Sequence, residues 1–432
     1  MKTLSTHAAR HSLLTIRQCA IFAGAALALG ALGAQSAPQT LKLGTRTFTS
    51  TEKTLLGTPV IPMWKAQMPT SNQAKACGFP VLKDARHVVV WRPSDLRDGA
   101  FNHYATLIFH NGRFYAMWGN HWHGEDGPGQ RVLYSSSEDG IKWAPPAEIF
   151  PPPGPILPRG EDGPYMNPDR WVEVDGKLYA VAYVHRPGSY PIARELAGDG
   201  TLGEPFLVRD LPAKATLPKF MPAPLRNPEI AAKINKWYGD NDAVSWWSRV
   251  PDAAGERIPA RGVDGAKLIE SFAFRSKHGK VAFFRDYSFA KEGKTGRPSN
   301  RIYASFDDGK GGWSVPYPTD IPDSHSRAHA LTLPDGRVLL VGNQVASRFD
   351  SGLFLSREPL TLAVSPDGEF FTKVFALRTD VLKKHRFSNI TGRLVIGYGY
   401  PSMIVHNGMI YVLYSVNKED MVITSVPLGS IQ

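Results

Sequence analysis

The feature that most constrains this chain is a glycine turn that keeps returning. Five segments set such a turn against an alternating aromatic and aliphatic run: His110-Asn111-Gly112-Arg113-Phe114-Tyr115, Asp175-Gly176-Lys177-Leu178-Tyr179, His278-Gly279-Lys280-Val281, Asp335-Gly336-Arg337-Val338 and Asn407-Gly408-Met409-Ile410-Tyr411. Asn-Gly and Asp-Gly between alternating runs favour type I′ turns, whose two central residues both need positive φ. Each segment is therefore read as a β-hairpin. The interval from Gly176 to Gly279 is close to two ordinary ones, so a unit of roughly 55–65 residues recurs along the chain.

A second series runs through the same chain. Ser136-Ser137-Glu138-Asp139-Gly140-Ile141-Lys142-Trp143, then Ser305-Phe306-Asp307-Asp308-Gly309 with Trp313, then Asp367-Gly368 with Phe371, each follow a serine with Asp-Gly and an aromatic. They resemble the Asp-box of sialidase-like propellers, in which the aspartate binds turn amides and the aromatic packs between sheets. That role is structural. Repeated four-stranded units with one aromatic turn each are the signature of a β-propeller, where radial packing protects the strand edges. Dividing residues 37–432 by the repeat predicts an all-β, seven-bladed propeller, with six blades and long insertions around residues 187–262 as the alternative. That stretch, with its prolines, Trp246 and Trp247, reads as a loop excursion.

Composition agrees. With 42% hydrophobic and 21% charged residues the chain suits a folded globular protein, and 40 glycines, 35 prolines and 11% aromatics favour strands and turns over helices. Residues 1–36 carry Lys2, Arg10 and Arg17 without an acidic residue, then a small apolar run from Ala20 to Ala34 ending in Ala34-Gln35-Ser36-Ala37. This is the pattern of a cleaved export signal, too short to span a bilayer. The expected mature protein is a single domain of residues 37–432, a monomer, periplasmic or secreted and without stable membrane insertion. Cys19 falls in the leader and Cys77 stands alone beyond it, so no intrachain disulfide can form. Net charge is +11, and about +8 without the leader's three cations, which favours an anionic partner. Scattered basic residues argue against nucleic acid; an acidic oligo- or polysaccharide fits both charge and export.

Histidine marks the first candidate site. Asn102-His103-Tyr104 and Asn120-His121-Trp122-His123-Gly124-Glu125-Asp126 flank the first hairpin, so tight folding brings the two stretches together. His121 and His123 would share one face of a regular strand. Glu125 and Asp126, being adjacent, would diverge on a strand. Polar residues placed to converge on the propeller axis are Glu270, Arg285-Asp286, Asn300-Arg301, Ser324 to His329, Asn343 and Tyr400. The guanidiniums of Arg170, Arg285 or Arg327 could grip a carboxylate bidentately. No metal site is expected and no cofactor is required for the chemistry, although loop carboxylates leave room for a structural Ca2+.

The run from Phe101-Asn102-His103-Tyr104 through Phe114-Tyr115-Ala116-Met117-Trp118-Gly119-Asn120 to Tyr134 resembles the first blade of the seven-bladed uronate-processing propellers, the ulvan lyases and the rhamnosyl-glucuronate lyases or rhamnosidases. Ile321-Pro322-Asp323-Ser324, Pro334 to Arg337, Asp380, Tyr400-Pro401-Ser402 and Tyr414 to Asp420 continue the likeness. The resemblance implies His103 as acid/base and His123 as the supporting histidine; the residues expected on the substrate are Asn102, Tyr165, Arg170, Glu270, Arg285, Arg327, Asn343 and Tyr400. A tyrosine and an arginine one blade on, from among Tyr165, Arg170 and Tyr183, would complete it. β-Elimination from a rhamnose- and glucuronate-containing glycan is the expected reaction, since a near-neutral imidazole can take the C5 proton beside a neutralised carboxylate.

Three rivals stand beside it. An exo-sialidase needs three arginines on the sialate carboxylate and a Tyr-Glu nucleophile pair; its early Arg-Ile-Pro motif is missing, and Arg257-Ile258-Pro259 occurs only in mid-chain. A rhamnosidase would ordinarily need two carboxylates about 5 to 10 Å apart. A non-catalytic carbohydrate-binding propeller would need no histidine pair.

Overall fold

The computed structural model describes residues 37–70, 73–158, 160–240, 261–288, 299–349, 357–380, 384–387 and 396–432. The export signal read in residues 1–36, Trp246, Trp247 and Arg257-Ile258-Pro259 lie outside the described residues.

The chain opens with a hairpin, β1 (Gln39–Leu43) and β2 (Arg46–Ser50), and reaches β3 (Arg86–Trp91) through bridges and a 3-10 turn. Four sheets of four antiparallel strands follow in order. The first holds β4 (Phe101–His110), β5 (Arg113–His121), β6 (Arg131–Ser137) and β7 (Ala147–Phe150). The second holds β8 (Tyr165–Val174), β9 (Lys177–His185), β10 (Ser189–Leu196) and β11 (Phe206–Leu207), and is followed by α1 (Pro228–Asp240). The third holds β12 (Leu268–Ser276), β13 (Gly279–Asp286), β14 (Arg301–Phe306) and β15 (Tyr317–Pro322), the fourth β16 (His329–Thr332), β17 (Val338–Gly342), β18 (Leu360–Ser365) and β19 (Lys373–Arg378). The fifth sheet joins β20 (Tyr398–His406), β21 (Met409–Val416) and β22 (Asp420–Pro427) to β3, so a strand that precedes the first full blade completes the last one. Pairing β3 with β22, the last strand, closes the ring and hides an edge that would otherwise be open.

The fold is an all-β propeller, but its described residues form five four-stranded blades, not seven or six. The five glycine turns counted the blades directly: each joins the first and second strands of one blade. Dividing the chain length by the repeat overcounted because much of the chain is not blade. Residues 51–70 and 73–85 run along blade edges, with Ile61 N donating to Pro318 O at 2.8 Å and Leu82 N to Ala376 O at 3.0 Å, and residues 208–240 form loop and helix.

At Asn111-Gly112, Asp175-Gly176 and Asn407-Gly408 both central residues have positive φ, as two-residue type I′ turns require. The Asp-boxes fold as motifs too, each between the third and fourth strands of its blade. Asp139 Oδ1 accepts from Ile141 N and Lys142 N, both at 2.8 Å. Asp308 Oδ1 accepts from Lys310 N and Gly312 N at 2.8 Å, and Asp367 Oδ1 from Glu369 N at 3.0 Å. Alternation then fills the spaces between blades with apolar side chains, among them Phe272, Phe283, Phe306 and Phe371.

Candidate active site on the propeller axis

Four innermost strands break register at one point: β4 between His103 and Thr106, β8 between Pro168 and Arg170, β12 between Ile269 and Phe272, β20 between Gly399 and Ser402. A bulge of this kind re-aims a side chain. At three of the four the residue so turned has left-handed backbone, Tyr104 (φ 64), Glu270 (φ 53) and Tyr400 (φ 55). Bulky side chains held there mark a strained backbone position.

The re-aimed side chains meet. Tyr400 Oη donates to Glu270 Oε1, and Arg285 Nη1 donates to Glu270 Oε2 and to Tyr400 Oη, both at 2.9 Å. Two more guanidiniums flank the phenol ring, with Cζ of Arg327 5.8 Å and of Arg357 5.7 Å from its centroid. All five groups are buried. Burial, then the Glu270 charge, raises the Tyr400 pKa well above its ordinary value, against the opposing pull of Arg285. Burial also raises the nearby Asp323 carboxyl to about 7, despite Arg285.

A second polar group lines the site beside Tyr104, whose ring meets that of Tyr400 edge-on at 5.3 Å. Tyr104 Oη lies 3.0 Å from Glu125 Oε1 and 3.0 Å from Asp126 Oδ1. Lys418 Nζ donates to Glu125 Oε2 at 2.6 Å, and Asn167 Nδ2 to Asp126 Oδ1 at 3.3 Å. The two adjacent carboxylates converge instead of diverging, because they sit in the loop after β5 and Asp126 has φ 57. Burial opposes ionisation of Glu125, but Lys418, with Arg357 beyond it, outweighs that and holds it at about 2. Burial and then the Glu125 charge push Asp126 up to about 6.

The histidines go elsewhere. His103 is fully buried, its ring 4.1 Å from that of Tyr400 and its Nδ1 2.6 Å from Ser415 Oγ. Burial, then Lys418 and the surrounding arginines, depress its pKa far below the ordinary range. His123 is exposed. Strand β5 ends at His121, so the strand face expected to be common to His121 and His123 does not form; His121 is buried, with Nε2 3.0 Å from Pro128 O.

Asn102 has both side-chain atoms engaged, Nδ2 on Gly99 O and Glu419 O, Oδ1 on Trp118 Nε1 and Asn120 Nδ2. Asn343 donates to Arg357 O at 3.0 Å and so anchors that arginine's backbone. Tyr165 stacks on His185 at 4.9 Å, while the Arg170 guanidinium lies over Trp237 and Tyr238 of α1. Of the residues expected on the substrate, Glu270, Arg285, Arg327 and Tyr400 are brought together around one phenol. Sequence reasoning missed Arg357 and gave Tyr104 and Lys418 no role at the site; the signal for that role lies in which strand ends the ring brings together. Among the described residues, no group of three or more His, Cys, Asp or Glu is placed to hold a metal.

Comparison with known proteins bears on the same ring. Residues 238–412 match the model of a BNR repeat-like domain, and residues 81–167 that of a BT_1020-like N-terminal beta propeller. A solved sialidase superposes with TM-score 0.62 at 17% identity over 85% of this chain. The chain shares the β-propeller fold of that sialidase. It spans 35% of the length of that sialidase. Looser likenesses include a Trypanosoma rangeli sialidase in complex with 2,3-difluorosialic acid (TM-score 0.45, 12% identity, 82% of this chain and 59% of that one). Another is a glycosyl hydrolase from Bacteroides ovatus (TM-score 0.39, 10% identity, 84% and 94%). No curated protein matches the sequence.

Proposed function

We propose that the protein is an exo-acting, retaining glycoside hydrolase that removes a terminal carboxylate-bearing sugar from a glycan. The observation that carries this reading is the hydrogen bond from the Tyr400 hydroxyl to Glu270 amid Arg285, Arg327 and Arg357. Three cations at one phenol suit a substrate carboxylate close to the anomeric carbon, and a neutral phenol can approach such an anion where a carboxylate nucleophile would be repelled. Sialidases with a tyrosine nucleophile are the known exception to the two-carboxylate rule for glycosidases.

In this mechanism Glu270 takes the phenolic proton as Tyr400 Oη attacks the anomeric carbon. Arg285, 2.9 Å from that oxygen, stabilises the negative charge that develops there. Asp126, protonated, gives its proton to the departing glycosidic oxygen. A water then attacks the glycosyl-tyrosine while Asp126 accepts its proton, and Glu270 returns the first proton to the phenol. The closed, buried setting suits a terminal sugar, not a chain threading through.

The elimination reading needs His103 as a base at the substrate. Its full burial and its Ser415 contact support packing against Tyr400 instead, and a solved structure with the same fold is a sialidase. The test is incubation with glycans capped by 2-ulosonic or uronic acids, following free sugar by NMR. Release of the sugar acid with retained anomeric configuration is expected. A rise in unsaturated-uronate absorbance, or inverted product, would overturn the proposal.

A further inference from the structure

We infer that Glu125 and Lys418 are a positioning pair that fixes a proton on Asp126, with Tyr104 as the bridge. The inference rests on the hydrolase reading for its catalytic consequence, but its evidence is a count of protons. Tyr104 Oη lies 3.0 Å from an oxygen of each carboxyl group. A phenol carries one proton. Once that proton is donated to one carboxylate, the second 3.0 Å contact sets oxygen against oxygen, and it is stable only if a carboxyl proton fills it.

Lys418 decides where that proton sits. Its ammonium group only donates, and at 2.6 Å from Glu125 Oε2 it selects Glu125 as the ionised member. Asp126 is left as the protonated one. The order is directional: the Asp126 carboxyl donates to Tyr104 Oη, Tyr104 donates to Glu125 Oε1, and Lys418 donates to Glu125 Oε2.

At Asp126 the Lys418 charge opposes protonation, and burial with the Glu125 charge outweighs it. Asp126 is faced by Glu125 from its own loop, Tyr104 from β4, Asn167 and Tyr165 from β8, and Lys418 from the β21–β22 turn. Asn167, Tyr104 and Tyr165 are neutral, and Arg357 acts on Glu125. Tyr104, Asp126 and Lys418 all have left-handed backbone, φ 64, 57 and 58, so three separate chain segments hold a costly conformation around this one contact. The ordinary penalty of two carboxylates sharing a site is here confined to one of them.

Isotope-edited infrared spectroscopy tests the pair without any substrate. With 13C-labelled aspartate, and Asp126→Asn to assign the band, the wild type should keep a protonated Asp126 carboxyl well above the ordinary aspartate range and lose it near pH 6. Glu125→Gln should lower that midpoint by about one pH unit or more. Because that variant leaves Lys418 without its partner, Glu125→Gln/Lys418→Met serves as the fold-neutral version and should lower it likewise. Lys418→Met alone should move a protonated band onto 13C-labelled glutamate, and Lys418→Arg should preserve the wild-type pattern. An Asp126 midpoint in the ordinary range, or one unmoved in both glutamine variants, would overturn the inference. Absence of glycoside hydrolysis with these shifts intact would count against the hydrolase reading alone.

Discussion

The Tyr400 hydroxyl donates to Glu270 Oε1, a contact between residues 130 positions apart that joins the inner strands of two different blades. Both residues sit at bulges with left-handed backbone, so the pair exists because two separate strands are kinked at the same depth in the ring.

Removing the nucleophile should stop the chemistry and spare the fold. Tyr400→Phe loses only a hydroxyl, and its kcat should fall by at least about 10²-fold, because losing the attacking oxygen costs no less than losing a proton-transfer partner. Calorimetric affinity for the product sugar acid should change little. Turnover within a few-fold of wild type would remove Tyr400 from the mechanism.

Arg285 should matter for stability as well as binding. It is buried against Glu270 at 2.9 Å, and cutting a buried pair on one side leaves an uncompensated charge worth about 3–5 kcal/mol. Arg285→Met should therefore lower the urea midpoint clearly, and Arg285→Met/Glu270→Gln should recover part of the loss. Equal losses in single and double variants would contradict the coupling.

Activity should have an acidic optimum. Asp126 must be protonated to release the leaving group, and its pKa is raised to about 6 by burial and Glu125. kcat/KM should decline as pH rises through that value. The same shift acts on stability, because a carboxyl raised in the folded state favours folding at low pH and loses that contribution as pH rises from about 4 to 6. An activity plateau extending past pH 8 would exclude Asp126 as the proton donor.

His103→Ala separates packing from proton transfer. It opens space against Tyr400, 4.1 Å away ring to ring, so it should lower Tm as a buried large-to-small change of about 2–4 kcal/mol does. An unchanged Tm with abolished turnover would restore His103 to the chemistry.

Gly112 offers a control far from the site. It has φ 80, and a Cβ there meets nothing within 4 Å, so Gly112→Ala should cost about 1–2 kcal/mol through backbone conformation alone. Chemical denaturation measures the cost, and kcat should be unmoved. An unchanged denaturation midpoint would contradict a conformational role for the turn.

Local chemistry made the blades legible. Asn111-Gly112, Asp175-Gly176 and Asn407-Gly408 specify hairpins through positive φ, and Asp139, Asp308 and Asp367 specify turns through backbone amides; both effects operate within a few residues. Glu270, Arg285, Arg327, Asn343 and Tyr400 were recognisable as polar residues among apolar strands. Local signals stop at the blade, and length was a poor guide to blade number because the edge-covering segment and α1 carry no blade strands. Only the closed ring decided that Tyr400 meets Glu270, that Arg357 joins Arg327, and that Lys418 reaches Glu125. Those contacts depend on bulges that rotate single side chains and on strand ends brought together from distant parts of the chain. The same tertiary packing buried His103 against Tyr400 and Ser415, because strands distant in sequence pack together only once the ring has closed.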